Sequence, residues 1–301
     1  MMSFPRGLCA FPLTPADEAG RIDAAALRGL VARLVEAGVD SIGVLGSTGI
    51  YMYLDAGERR RAIEVAVGEA AGRVPVVAGV GALRTDEAVR LARDAKAIGA
   101  VAGLLSAASY TPLTEDEVFE HFSAVARQSG LPIVIYDNPG TTHFRFTPEL
   151  VRRLAAVDGI VAIKNPGWEA ADAPRLLAGQ RAALRQGFSI GCSGDWMAAQ
   201  TLLAGADTWH SVLGGLFPRI CLQLTRAAQR GDAAELSRLD AMLEPVWDLF
   251  RRYSSLRVTY ALADLAGICR AAPPRPLLPL PEPARRQAEA VLAALPAAAR
   301  Q

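Results

Sequence analysis

Lysine is nearly missing from this chain of 301 residues: of its 32 basic residues 30 are Arg, and only Lys96 and Lys164 are Lys. Charge of either sign does not accumulate. The net charge is +1, and the densest basic run, ERRR at 58–61, sits in a helical pattern and reads as a solvated face. The basic footprint of a nucleic-acid binder is therefore absent. Long apolar runs are lacking too, and none approaches the roughly 20 residues of a membrane span. The opening MMSFPRGLCAFPLTP meets its prolines before an apolar core long enough for a secretory signal, so a cytoplasmic location is expected. Cys9, Cys192, Cys221 and Cys269 are far apart and form no CxxC pair, and His121, His143 and His210 are equally scattered. Buried reduced thiols, no metal and no other cofactor are the expectation.

What is present is a rhythm. Short apolar, β-branched runs occupy 8–13, 39–46, 74–80, 100–107, 131–137, 159–164, 187–192 and 207–214, with longer amphipathic runs between them. Continuous apolar character, rather than strict alternation, is what parallel strands buried on both faces require. Helix ends are legible: Asp23 caps a run that Gly38 stops, Asp55 with Glu58 and Thr114 with Glu117 have capping-box spacing, and Thr147-Pro148 opens another helix. Eight β-then-α units predict an α/β fold, the (β/α)8 TIM barrel, over residues 1–230. A doubly wound open sheet would use fewer strands and a Gly-rich first turn, which CAFPLTPADEAG does not offer. After about residue 218 only helical patterns and a Pro-rich stretch follow, so 231–301 is expected to be a C-terminal helical extension.

A barrel displays its chemistry where strands end. Side chains alternate along a strand, which puts Ala162 and Lys164 of IVAIKNPG on one face and Val161 and Ile163 on the other. If the second pair meets the outer helices, Lys164 enters the barrel mouth above a methyl group, where a poorly solvated ammonium favours the neutral amine. The same parity sends Tyr136 inward at the end of PIVIY, one strand away, roughly 5 Å between backbones. Lysine, unlike arginine, can act as a nucleophile, and a neighbouring phenol can carry its protons. Taken alone, a strand-end lysine reaching solvent explains Lys164 equally well. The loop GSTG, Gly46 to Gly49, offers hydroxyls, amides and close backbone approach for a small carboxylate or phosphate. Lys96, in RDAKAIG, falls on a solvated helix face.

Together, GSTG after strand 2, YDNPG after strand 5 and IKNPG after strand 6 resemble the dihydrodipicolinate synthase and N-acetylneuraminate lyase superfamily, the class I pyruvate-dependent aldolases that work through a Schiff base. The resemblance runs over roughly residues 4 to 295 and includes SGDW (193–196) and SVLGGLFP (211–218). It implies that Lys164 forms an imine with a 2-oxo acid, that Tyr136 relays protons, and that Ser47 and Thr48 hold the pyruvyl carboxylate. Gly46, Thr141 and Gly191 join the implied substrate-binding set. Tyr110 of SAASYTPLT stands where the synthase branch lends a second tyrosine to a partner subunit, and the family implies a homotetramer, a dimer of dimers. Ile50 replaces the family's glutamate after GSTG. Thr141 takes the place of the arginine with which the synthase branch grips the distal carboxylate of its aldehyde, and a hydroxyl cannot form that bidentate clamp. Arg145 lies nearby in sequence, and His143 and Trp168 are expected to shape the far end of the pocket.

Three activities follow. The first is a lyase on pyruvate or a related 2-oxo acid, of aldol-cleavage, hydratase-aldolase or sugar-acid dehydratase type. The second is 4-hydroxy-tetrahydrodipicolinate synthase, condensing pyruvate with aspartate semialdehyde. The third, from another class, is a catalytically weak 2-oxo acid binding protein.

Overall fold

The apolar runs become short strands and the amphipathic runs become helices around them. The computed structural model of the protein describes residues 4–300. The strands are Gly7–Ala10 (β1), Ser41–Val44 (β2), Val76–Gly79 (β3), Ala102–Ser106 (β4), Ile133–Tyr136 (β5), Ile160–Asn165 (β6), Ser189–Cys192 (β7) and Thr208–Ser211 (β8). All pair in parallel with their sequence neighbours, and β8 closes on β1, so the sheet is the expected eight-stranded barrel.

The outer ring contains Ala24–Ala37 (α1), Ala56–Ala70 (α2), Thr85–Ile98 (α3) and Glu115–Ser129 (α4); after the single turn Pro139–Thr142 (α5) at the barrel mouth it continues with Pro148–Ala155 (α6), Ala173–Ala183 (α7), Ala198–Leu203 (α8) and Pro218–Gln229 (α9). Their ends follow local chemistry. The Asp23 carboxylate accepts the Ala25 and Ala26 amides at 3.0 and 2.9 Å, and Gly38 closes α1 at φ 73°. Thr114 and Glu117 form a reciprocal capping box on α4. At α2 the box is only half made: Asp55 accepts the Glu58 amide, but the Glu58 carboxylate turns away to the Ile22 amide at 2.7 Å.

Two apolar layers result. Outward-facing strand residues such as Ile42, Ile135 and Ile163 pack against the helices, while Phe4, Cys9, Phe11, Val77, Leu104, Val134, Tyr136 and Ala162 fill the barrel. Val161, expected outside, packs against the interior cluster instead. A register shift between β5 and β6 explains it: Ile133 pairs with Ile160 and Val134 with Ala162, leaving Val161 as the extra residue of a bulge. Beyond α9 come Ala233–Tyr253 (α10), Ser255–Leu265 (α11) and Glu282–Ala294 (α12). The junction of α10 and α11 leans over the C-terminal end of the barrel and contributes Phe250, Leu256 and Arg257 to the cavity there. No helix among the described residues is long and apolar enough to cross a membrane.

Candidate active site

Past the bulge, β5 and β6 run in step, and Tyr136 sits directly opposite Lys164. Both face inward, as strand parity requires. Lys164 is 4% exposed, and its Nζ lies 4.1 Å from the centroid of the Tyr136 ring and 4.5 Å from that of Phe11. No hydrogen bond reaches Nζ among the described residues, so the amine rests on aromatic faces. The Tyr136 hydroxyl is 3.2 Å from Ser47 Oγ and accepts the Asn138 amide Nδ2–H at 2.9 Å. Asn138 Nδ2 also donates to Thr141 Oγ1 at 2.9 Å. A chain of polar groups thus runs from Ser47 through Tyr136 to Asn138 and Thr141.

These residues line a cavity of about 840 Å³ at the C-terminal mouth of the barrel. Ser47, Thr48, Tyr136, Lys164 and Thr141 all reach its wall. Other predicted residues do not. Gly46 and Gly191 are behind the wall, and what they supply is room. A Cβ on Gly46 would stand 2.8 Å from the Phe11 ring, and one on Gly191 would stand 2.6 Å from His210 Nε2. Tyr110 is 97% exposed and takes no part in the cavity of its own chain. His143 and Trp168 are also off the wall, where Trp196 and Met197 stand instead. Arg145 lies beside Asp137, whose carboxyl is pushed up to about 6 by burial against the pull of Arg145 and of the Phe146 amide. Arg145 is exposed and does not reach the cavity wall.

The GSTG loop is held in an unusual shape. Its glycines keep negative φ, and the positive values fall on the flanking Leu45 (60°) and Ile50 (53°). A left-handed conformation at a β-branched residue such as Ile50 stores roughly 1–2 kcal/mol. What Gly49 permits is backbone approach, since its Cβ would meet Leu45 N at 3.0 Å.

Several contributors were not among the predicted site residues. Tyr51 lines the cavity, hydrogen-bonds Ser106 Oγ at 2.8 Å and has its phenol pushed up by burial. The Arg59 guanidinium sits 5.3 Å from the Tyr51 ring centroid and donates to the carbonyls of Gly81 and Gly79, and burial pulls it down to about 10. Asp195 of SGDW locks the loop after β7 to that after β8. It accepts Trp209 Nε1–H at 3.0 Å and the Leu213 amide at 2.7 Å, while burial raises its carboxyl to about 6. Asn165 ties β6 to β7 by donating to the Gly191 carbonyl at 3.1 Å. A compositional signal exists for the asparagines: Asn138 and Asn165 are the only two in the chain. Nothing local marks Tyr51, Phe250 or Arg257. No cluster of metal-binding side chains occurs among the described residues, and the four cysteines are free and buried.

The dihydrodipicolinate synthetase family matches residues 4–295. A 4-hydroxy-tetrahydrodipicolinate synthase of Methylococcus capsulatus is 38% identical over 256 residues, 85% of this chain and 87% of that protein. The crystal structure of a dihydrodipicolinate synthase from Agrobacterium tumefaciens superposes with a TM-score of 0.95 at 54% identity, over 97% of this chain and 98% of that one. A chloride-inhibited dihydrodipicolinate synthase from Acinetobacter baumannii, solved with pyruvate, gives 0.89 at 27% identity, over 97% and 99%. The chain belongs to the dihydrodipicolinate synthetase family and is an enzyme of the class I aldolase type.

Proposed function

We propose that this family member is a lyase that activates pyruvate or a related 2-oxo acid as an imine on Lys164. The observation that carries the reading is the pairing of a buried, unbridged amine with a phenol, Tyr136, already hydrogen-bonded to Ser47 and Asn138. Neutral Lys164 attacks the ketone carbon, the carbinolamine loses water, and the resulting iminium draws electrons from the adjacent carbon–carbon bond or carbon–hydrogen bond. The enamine formed is reprotonated and hydrolysed, returning the amine. Tyr136 carries the protons, a role worth roughly 10²–10⁴-fold in rate. The N–H that Asn138 donates to the phenol oxygen holds the hydroxyl in place for this role. Ser47 and Thr48 hold the carboxylate, fixing the substrate at a second point.

Tyr110, exposed on the loop after β4, is suited to completing the relay of a neighbouring subunit in a homotetramer. Buried free thiols fit a cytoplasmic setting, and residues 231–301 serve as an extension that walls the catalytic barrel of 1–230.

A second reading is supported by the names of the relatives: condensation of the pyruvyl enamine with aspartate semialdehyde. Thr141 weighs against it, because its hydroxyl is already engaged by Asn138 and carries no charge for a distal carboxylate. Borohydride reduction in the presence of pyruvate, followed by peptide mapping, tests the imine: the adduct is expected on Lys164, and its absence removes the lyase and the synthase together. Assaying pyruvate release from sugar-derived and aryl 2-oxo acids alongside aspartate semialdehyde condensation then separates them. An adduct with no turnover of either kind would leave a binding protein.

A further inference from the structure

The imidazole of His210 stands inside the barrel 1% exposed, and neither ring nitrogen has a hydrogen-bond partner among the described residues. A buried donor and acceptor left unmade is a standing cost to the fold. Three neighbours set the ring's place. Phe4 and Phe11 flank it with centroids 5.9 and 5.8 Å away. On the third side β7 gives way, because a Cβ on Gly191 would lie 2.6 Å from Nε2. Gly191 is also the register partner of Lys164, so the imidazole lies against β7 beside the backbone level of Lys164; the Phe11 ring borders both it and Nζ, and both residues line the same cavity. The ring is held neutral by burial first and by the Lys164 charge second. Among the described residues neither the imidazole nor the amine has a hydrogen-bond partner.

We propose that His210 is a positioning residue for Lys164: a neutral imidazole, admitted by Gly191, whose unprotonated nitrogen steadies the amine and the cation it becomes as an imine. The proposal rests on the imine reading above. A neutral ring attracts an N–H or a positive charge without being ionised itself. A carboxylate in its place would pair with the ammonium and hold it in the unreactive form. A leucine would fill the same volume with no polar atoms to bury, so packing alone gives no reason for histidine here.

That contrast defines the test: pyruvate titrations of borohydride trapping, with thermal unfolding, for the wild type, His210→Leu and His210→Gln. His210→Leu is expected to unfold at or above the wild-type temperature, while the pyruvate concentration for half-maximal trapping rises about tenfold. His210→Gln keeps an acceptor and is expected to stay within about threefold of wild type. Trapping by His210→Leu at wild-type pyruvate concentrations overturns the proposal. So does an equal loss of trapping in both variants that tracks a loss of stability, which marks the ring as packing only. A wild-type protein that gives no adduct at any pyruvate concentration removes the imine reading itself.

Discussion

At the scale of single residues, the proposed division of the chemistry between Lys164 and Tyr136 is measurable. Tyr136→Phe keeps the ring face against Nζ but loses the hydroxyl, so turnover is expected to fall about 10²–10⁴-fold while pyruvate still forms a trappable imine. Steady-state kinetics beside borohydride trapping would show it, and a variant that turns over at the wild-type rate would refute the relay. Asp137 makes a different prediction. Burial lifts its carboxyl from the usual 3.8 to about 6, so the native state holds the proton more tightly than the unfolded chain. The stability this group contributes is complete below about pH 4 and lost as pH rises through about 6, on the order of 1–3 kcal/mol. Asp137→Asn should therefore flatten the stability curve between pH 4 and 7, with the largest gain over wild type at pH 7, as read by denaturant unfolding. Asp195, raised similarly, leaves a residual slope in the same direction.

At the scale of elements, what could be read in the sequence depended on how local its cause was. The eight strands and the caps at Asp23, Thr114 and Thr147 follow from patterns within a dozen residues, and the structure contains them. Parity within the last residues of β5 and β6 was enough to turn Tyr136 and Lys164 inward. The bulge at Val161 was invisible, because a bulge depends on the register of two strands and not on either alone. Gly46 and Gly191, both in the implied substrate-binding set, also make room for the Phe11 and His210 rings beneath the site, a packing role that neither strand shows alone. Gly191→Ala should accordingly cost about 1–3 kcal/mol through overpacking against His210. A denaturation midpoint unchanged from wild type would contradict this. Asp195→Ala tests the link between the loops after β7 and β8. It strands the Trp209 indole N–H and the Leu213 amide, with an expected loss of roughly 3 kcal/mol in the same measurement.

At the scale of the whole molecule, the barrel brings residues far apart in sequence to one mouth, and the C-terminal helices close over it. Phe250, Leu256 and Arg257 on the cavity wall come from beyond the last strand, a placement no local pattern announces. In the proposed reaction the first half is written in the strand-end motifs, and the choice of electrophile falls to walls assembled by the tertiary fold. That first half rests on the proposed role of the scarce lysine at position 164, the conversion of pyruvate to an enamine. Proton exchange at the pyruvate methyl group in deuterated water, followed by NMR, reads enamine formation directly and needs no knowledge of the electrophile. The wild type is expected to exchange those protons, and Lys164→Arg, which keeps the charge but not the nucleophile, is expected to abolish the exchange. Exchange that persists undiminished in Lys164→Arg, or that never occurs in the wild type, would contradict the claim.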